Sequence, residues 1–161
     1  MNQSELELTT KIIDGLSTGG KTELGSTVIE SSIFETSRGR WVAITAYGKD
    51  HNPIGICDFQ YHADMGNAVL ESPIIRKRPD LKAPALDLRI LAGDDGMYLM
   101  EGYRGDKRGT LLLTTAIEIA RNYGAKRFIV KHGDIQAKWY KKLGAKEVMG
   151  AFVFDLGKRH S

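Results

Sequence analysis

The chain has 161 residues, of which 42% are hydrophobic and 27% are charged, a composition that suits one globular domain and excludes two full ones. No stretch approaches the roughly 18 consecutive apolar residues of a membrane span, and no signal-peptide pattern opens the chain. We therefore expect a cytoplasmic protein without a membrane partner.

The net charge of +3 is divided unevenly along the chain. Residues 1–100 hold 10 Lys and Arg against 14 Asp and Glu, whereas residues 101–161 hold 13 against 6. A basic second half is typical of a protein whose ligand carries several phosphates, either a nucleotide-like cofactor or a nucleic acid. The lysines are not interleaved with aromatic residues, and no zinc-finger or ribonucleoprotein motif is present, which argues against nucleic acid as the partner.

The first predicted element is a helix that Ser4 caps and that runs from about residue 5 to residue 15. Leu6, Ile13 and Leu16 lie on its predicted inner side. Residues 17–26 are rich in Gly, Ser and Thr, so we expect them to end the helix as a linker.

A phosphate-loop pattern overlaps this linker. Residues 15–22, GLSTGGKT, match G-x-x-x-x-G-K-[ST], in which the lysine and the hydroxyl serve phosphate and magnesium. Such a loop follows a buried strand and opens a helix, whereas here a surface-type helix is predicted before it and a poor helix former follows. We therefore favour the linker and keep a phosphate-loop nucleotide binder as a third functional alternative.

Two strands are predicted next. Residues 40–47 and 53–59 have the apolar and β-branched composition of strands, and residues 48–52 between them suit a hairpin loop. Cys57, which has no second cysteine to pair with, lies in the second run, so we expect a buried structural thiol. The histidines show no metal-ligand spacing, and no metal site is predicted.

The middle of the chain gives the weakest pattern. Residues 62–84 contain several prolines and no clear periodicity, and they predict a loop-rich insertion. Residues 86–91 and 96–100 are then expected to be strands that a Gly-Asp-Asp-Gly turn joins.

Residues 103–113, YRGDKRGTLLL, are the most informative stretch, because a basic turn there opens directly into an amphipathic helix. The first N–H groups of a helix lack partners within the helix, and the dipole is positive at that end, so a phosphate docked there gains several hydrogen bonds. Arg104, Lys107 and Arg108 add positive charge. Apolar residues at helical spacing mark the helix: Leu112, Leu113, Ala116, Ile119, Ala120 and Tyr123.

This turn and helix, a strand at residues 127–131 and the run Tyr140-Lys141-Lys142-Leu143-Gly144 together resemble the cofactor half of the GNAT family of N-acetyltransferases. The resemblance implies an α/β (α+β) fold with a mixed, mostly antiparallel central sheet flanked by helices. It implies one domain over residues 1–161, in which residues 1–100 carry the acceptor side and residues 101–161 bind the cofactor.

In that family the turn reads Arg/Gln-x-x-Gly-x-Gly/Ala, and its amides hold the pyrophosphate of acetyl-coenzyme A. The resemblance therefore implies that acetyl-coenzyme A is the co-substrate. The residues that would bind it are Arg104, Gly105, Asp106, Lys107, Arg108, Gly109 and Thr110. Lys107 stands where the family has its inner glycine, and a lysine there either crowds the ligand or meets a phosphate with its own charge.

The Tyr-x-x-Leu-Gly motif implies a catalytic role for Tyr140, which would protonate the coenzyme A thiolate as it leaves. Glu101 lies just before the turn and is the carboxylate best placed by sequence position to take the proton of the acceptor. Backbone N–H groups of the strand before the turn would stabilise the oxyanion.

The implied function is an N-acetyltransferase that moves an acetyl group from acetyl-coenzyme A to an amine of a small molecule or a protein. No motif identifies the acceptor. Lys107 and the lack of the family's asparagine before the tyrosine motif leave a second alternative, a catalytically inactive GNAT-like subunit that binds a protein partner in a larger assembly.

Overall fold

The computed structural model of the chain describes residues 8–48, 51–71, 96–99, 108–131 and 137–157. The helices in these ranges are α1 (Thr10–Ser17), α2 (Arg108–Asn122) and α3 (Ala137–Lys142). The strands are β1 (Lys21–Leu24), β2 (Thr27–Thr36), β3 (Gly39–Tyr47), β4 (Pro53–His62), β5 (Asn67–Leu70), β6 (Met97–Leu99), β7 (Arg127–Val130), β8 (Lys146–Val148) and β9 (Ala151–Asp155). The predicted mixed fold, with a mostly antiparallel sheet flanked by helices, is confirmed.

The described strands form one sheet in the order β1-β2-β3-β4-β5-β7-β9-β8, and β6 also pairs with β4. Every pair is antiparallel except β5 and β7, which run parallel. The long strands β2, β3 and β4 form a meander whose β-branched and aromatic side chains suit a pleated, half-buried surface. Val42, Ile44 and Phe59 are fully buried in the core, so this meander is the base on which the rest of the fold packs.

Helices α1 and α2 lie on the same face of the sheet. The hydroxyl of Tyr61 on β4 donates a hydrogen bond to the carbonyl of Tyr123 at the end of α2, with an oxygen–oxygen distance of 3.0 Å. The hydroxyl of Tyr123 in turn donates to the carbonyl of Ser17 at the end of α1, at 2.5 Å. Because side chains alternate along a strand, the odd-numbered residues of β4 face the helices and the even-numbered residues face away from them.

Helix α3 lies on this face as well. Phe59 and Phe128 meet edge to face with ring centroids 5.5 Å apart, and Phe128 meets Phe154 at 6.3 Å. Phe152 lies on the same face of β9, and its ring is 5.6 Å from that of Tyr140 in α3. These aromatic contacts join β4, β7, β9 and α3 into one core.

Strands β5 and β6 are two parts of one interrupted strand. Both pair with β4 in the antiparallel sense: Leu70 opposes Phe59, and Met97 opposes Cys57. Asp58 lies between them and serves both parts, because its carbonyl accepts the N–H of Glu71 at 3.1 Å and its N–H donates to the carbonyl of Gly96 at 2.8 Å. The chain therefore leaves the ladder at residue 71 and returns to it at residue 96.

Gly96 is required by this junction. Its φ of 75° lies in the left-handed region, and a side chain built on it would fall on the backbone of Glu71. Gly96 and Glu71 lie so close together beside Asp58 that position 96 has no room for a Cβ atom.

The predicted strands at residues 40–47 and 53–59 are confirmed by β3 and β4. The expected strand at residues 96–100 is confirmed over Met97–Leu99, and residues 86–91 lie outside the described residues. The loop-rich insertion predicted for residues 62–84 is wrong at Asn67–Leu70, which form β5. Four residues are too short to show a period, and their place follows from the tight turn at residues 63–66 that returns the chain along β4.

The predicted first helix begins later than expected. Thr9 is extended, and its hydroxyl accepts the N–H of Ile12 at 3.2 Å, so Thr9 rather than Ser4 caps α1. Ser4 lies outside the described residues. The linker predicted at residues 17–26 is also wrong in part, because Lys21–Leu24 form the edge strand β1 opposite β2.

Gly55 on β4 offers a test of this packing. A Cβ added there would lie 2.8 Å from Leu99 Cδ1 and 2.9 Å from Leu112 Cδ1, so both β6 and α2 must shift. We expect Gly55→Ala to lower the free energy of unfolding by about 1–3 kcal/mol in urea denaturation, as overpacking does. Gly15→Ala is the matched control, because Gly15 is helical with no atom within 4 Å of an added Cβ and should gain stability. Equal stability of Gly55→Ala and wild type would contradict the packing.

Candidate active site

Among the described residues, β6 pairs with β4 on one side and with no strand on the other, and we call the place between β6 and β7 the opening. The parallel ladder of β5 and β7 reaches Leu70 and Val130, but β6 pairs with β4 and, among the described residues, does not pair with β7. Because Asp58 and Gly96 form a hydrogen-bonded pair, the alternate residues Met97 and Leu99 direct their N–H and C=O groups away from β4, toward the opening. An extended ligand placed in this opening would meet backbone donors and acceptors at the spacing of a strand.

Helix α2 begins beside the same opening. A Cβ added to Gly109, in the first turn, would lie 3.7 Å from Met97 Cε, 3.8 Å from Leu99 Cδ2 and 3.8 Å from Trp139 Cζ2. Gly109 is thus the point where β6, α2 and α3 meet. The first turn of α2 carries no acidic residue, so its N–H groups and positive dipole end are not offset by a local carboxylate.

Arg108 has a structural contact in addition to its predicted role. Its Nε donates to Thr27 Oγ1 at 3.1 Å and its Nη2 donates to Ser26 Oγ at 3.4 Å, so the guanidinium anchors α2 to the turn between β1 and β2. Sequence analysis assigned this side chain to the ligand only. Thr110 follows on α2 and is half-buried.

Several predicted site residues lie outside the described residues: Glu101, Arg104, Gly105, Asp106 and Lys107. Their roles stay predictions. The described part of the predicted turn, residues 108–110, does lie at the start of α2, next to the opening.

Tyr140 lies in α3 on the same side of the sheet. It is 2% exposed, and its ring is 5.2 Å from that of Trp139, which approaches Gly109. The structure therefore brings α3, which carries the predicted tyrosine, to the start of α2, which carries the described part of the predicted anion turn, residues 108–110. These two motifs are about thirty positions apart in the chain, and the contact through Trp139 was not predicted.

Asp58 is not among the predicted site residues. This residue is 0% exposed and lies on β4 at the junction of β5 and β6, one strand away from the opening. A fully buried carboxyl group is uncommon because burial costs hydration free energy. The available signal was a single acidic residue inside the apolar run of residues 53–59.

Cys57 is buried, as predicted. Burial, together with the charge of Asp58, raises the pKa of its thiol well above the ordinary value. A thiol held in this way is a poor nucleophile, so Cys57 is a packing residue of the core.

The phosphate-loop alternative is contradicted by the order of elements. Gly15 lies inside α1 and Lys21 begins β1, so a helix precedes the glycines and a strand follows them, the reverse of what such a loop requires. The N–H of Gly20 donates to Ser31 Oγ at 3.0 Å, which holds this turn against β2.

Within the described ranges, no group of three His, Cys, Asp and Glu side chains is arranged to hold a metal ion. His62 has its Nδ1 2.8 Å from the carbonyl of Arg38. None of the described helices is long and apolar enough to cross a membrane.

A sequence profile of the acetyltransferase (GNAT) family matches residues 26–145. The match includes the strands on both sides of the opening and helix α2. The chain belongs to the acetyltransferase (GNAT) family, as the motifs predicted. A search of curated protein sequences finds no match.

Solved structures show the same fold. An Elp3 protein from the archaeon Methanocaldococcus infernus aligns with a TM-score of 0.55 and 16% identity, over 81% of this chain and 30% of that one. A protein from Exiguobacterium sp. 255-15 assigned as an acetyltransferase aligns with a TM-score of 0.52 and 13% identity, over 71% of this chain and 62% of that one. An acetyltransferase of the GNAT family from Staphylococcus aureus Mu50 aligns with a TM-score of 0.50 and 14% identity, over 72% of this chain and 68% of that one. At these identities the likeness concerns the fold alone.

Proposed function

We propose that this chain is an N-acetyltransferase that transfers the acetyl group of acetyl-coenzyme A to an amine. The observation that carries the proposal is the opening between β6 and β7, into which Met97 directs its backbone groups, with the start of α2 beside it. Membership of the acetyltransferase (GNAT) family supports the same reaction.

The parts of the site suit the parts of acetyl-coenzyme A. The arm that carries the thioester contains amide groups, which can hydrogen bond to the backbone of β6 as a neighbouring strand would. The pyrophosphate would then bind at the N-terminus of α2, where N–H groups lack partners within the helix and where Arg104 and Lys107 are predicted from the sequence to add positive charge. Gly109 lies in the first turn of α2, at this predicted pyrophosphate site.

The reaction begins when the neutral acceptor amine attacks the thioester carbonyl. The oxygen of that carbonyl becomes negatively charged, and the backbone N–H of Met97 would stabilise that charge without reorganisation. A base, for which Glu101 is the candidate by sequence position, takes a proton from the nitrogen. The carbon–sulfur bond then breaks, and the thiolate takes a proton from Tyr140, which leaves the amide and coenzyme A as products.

The fixed orientation of the Tyr140 ring is what supports its proposed role as proton donor. Its ring is fixed between Trp139 and Phe152, and a fixed phenol loses little freedom when it meets the leaving sulfur. Trp139 connects this ring to Gly109 at the start of α2. The proton donor and the anion turn would therefore serve the same ligand.

Calorimetric titration of acetyl-coenzyme A tests the cofactor assignment. We expect micromolar binding to wild type and a dissociation constant at least about tenfold higher for Arg104→Ala, since a charge-assisted contact is lost. Arg127→Ala is the matched control, because Arg127 is exposed at the start of β7 and should leave binding unchanged. ATP with magnesium should not bind. No binding of acetyl-coenzyme A at millimolar concentration would refute the proposed enzyme and redirect the search to protein partners.

Tyr140→Phe tests the proton donor. Removal of the hydroxyl should lower kcat by on the order of 100-fold and leave the dissociation constant of acetyl-coenzyme A within about twofold, because the group acts only as the thiolate forms. Tyr61→Phe removes a hydroxyl that bonds only the end of α2, so it should affect stability rather than kcat. Thiol release from acetyl-coenzyme A in the presence of an amine measures kcat. An unchanged kcat in Tyr140→Phe would remove the residue from the mechanism.

A further inference from the structure

Arg108 links the first turn of α2 to a strand that does not border the opening. Its Nε donates to Thr27 Oγ1 at 3.1 Å, and its Nη2 donates to Ser26 Oγ at 3.4 Å. Ser26 lies in the turn between β1 and β2, and Thr27 is the first residue of β2. In the sheet, β3 and β4 separate β2 from β6. The start of α2 is therefore tied to a part of the sheet that is remote from the opening.

The two hydrogen bonds fix the orientation of the guanidinium group as well as its position. Nε and Nη2 form one edge of this planar group, and two donors on one rigid edge meet a pair of acceptors in a single orientation. A phosphate that took the same edge would have to displace both hydroxyls. This edge of Arg108 therefore serves the fold, although the sequence assigns the residue to the ligand.

Thr27 is buried on the face of the sheet that the helices cover. It is 1% exposed, and Ser31, on the same face of β2, donates to the carbonyl of Leu16 in α1 at 2.6 Å. A ligand cannot reach a hydroxyl that is buried in this way. An effect of the Thr27 hydroxyl on ligand binding has to pass through the protein, and the group that this hydroxyl accepts from is Arg108.

The first turn of α2 is the part of the helix that needs such an anchor. Its N–H groups have no partners within the helix, and helix ends fray more easily than helix centres. The pyrophosphate of the proposed function binds these same N–H groups. Arg108 lies in this turn, next to Gly109, whereas the hydrogen bonds of Tyr61 and Tyr123 act at the other end of α2. The direction of the N–H groups therefore depends on how Arg108 is held.

We infer that Arg108 and Thr27 are positioning residues of the pyrophosphate site, an inference that rests on the proposed function. Arg108 binds the protein rather than the phosphate, and through Thr27 and Ser26 it holds the first turn of α2 in the direction that the ligand needs. The affinity for acetyl-coenzyme A therefore depends on a buried hydroxyl of β2 that does not touch the ligand. Arg108 contributes through the geometry of its hydrogen bonds rather than through its charge.

Calorimetric titration of acetyl-coenzyme A into Thr27→Val tests this inference. The substitution keeps the shape of the side chain and removes its hydroxyl, and loss of one hydrogen bond that positions the site should raise the dissociation constant about three- to tenfold. Thr27→Ser keeps the hydroxyl and should bind within about twofold of wild type. Thr115→Val is the matched control, because it removes another buried hydroxyl, one that bonds to the carbonyl of Leu111 within α2, and should leave binding unchanged.

A double-mutant cycle identifies the path of the effect. Arg108→Gln should also raise the dissociation constant, and Thr27→Val should add no more than about twofold to it, because both changes remove the same contact. Two independent contributions would multiply instead. Arg108→Lys keeps the charge but cannot donate to two hydroxyls along one planar edge, so its dissociation constant should rise about as much as that of Arg108→Gln.

Urea denaturation of the same variants separates positioning from stability alone. A purely structural role would lower the free energy of unfolding of Thr27→Val and leave its dissociation constant unchanged, and that result would overturn the inference. Multiplied effects in the cycle would overturn it as well. If Thr27→Val does not fold, Arg108→Lys decides the question, because binding equal to that of wild type would show that position 108 supplies charge only. These results would leave the acetyltransferase intact, whereas no binding of acetyl-coenzyme A to wild type would contradict both proposals.

Discussion

The double pairing of Asp58 is the interaction on which the rest of this structure depends. Its carbonyl holds the end of β5 and its N–H holds the start of β6, so one residue of β4 closes a strand that residues 72–95 interrupt. Together with the pairing of β6 and β4 over Met97–Leu99, this closure fixes the register of β6 and the direction of the backbone groups of Met97. The pairing of β6 with β4 therefore sets where the opening between β6 and β7 lies.

Packing at small residues fixes the position of helix α2 beside the opening. Gly55 lets β6 and α2 approach β4 closely, and side chains of β6 and α3 meet α2 at Gly109. At the far end, hydrogen bonds of Tyr61 and Tyr123 hold α2 to the sheet and to α1. Because α2 is fixed at both ends, its N-terminus is held beside the opening, and the catalytic proposal needs no movement of a helix.

Local patterns in the sequence predicted those parts of the fold and site that depend on neighbouring residues. The basic turn before α2, the strands β3 and β4, and the tyrosine motif of α3 carry their signals within about ten residues each. The interruption between β5 and β6 could not be predicted in this way, since each part is too short to show a period and their union depends on a distant residue, Asp58. The approach of Trp139 to Gly109 likewise depends on tertiary packing. The helix cap is at Thr9 rather than at the predicted Ser4, because the hydroxyl of Thr9 accepts the N–H of Ile12.

A crystal structure of the chain with coenzyme A tests the central claim most directly. The account predicts that the arm of coenzyme A lies between β6 and β7, with the backbone N–H of Met97 within about 3.2 Å of an oxygen of the arm. The pyrophosphate should lie at the start of α2. A different structure would contradict this account. In it, β6 and β7 would pair and close the opening, and coenzyme A would lie in the groove of about 270 Å³ that Ile117, Arg121 and Leu156 help to line.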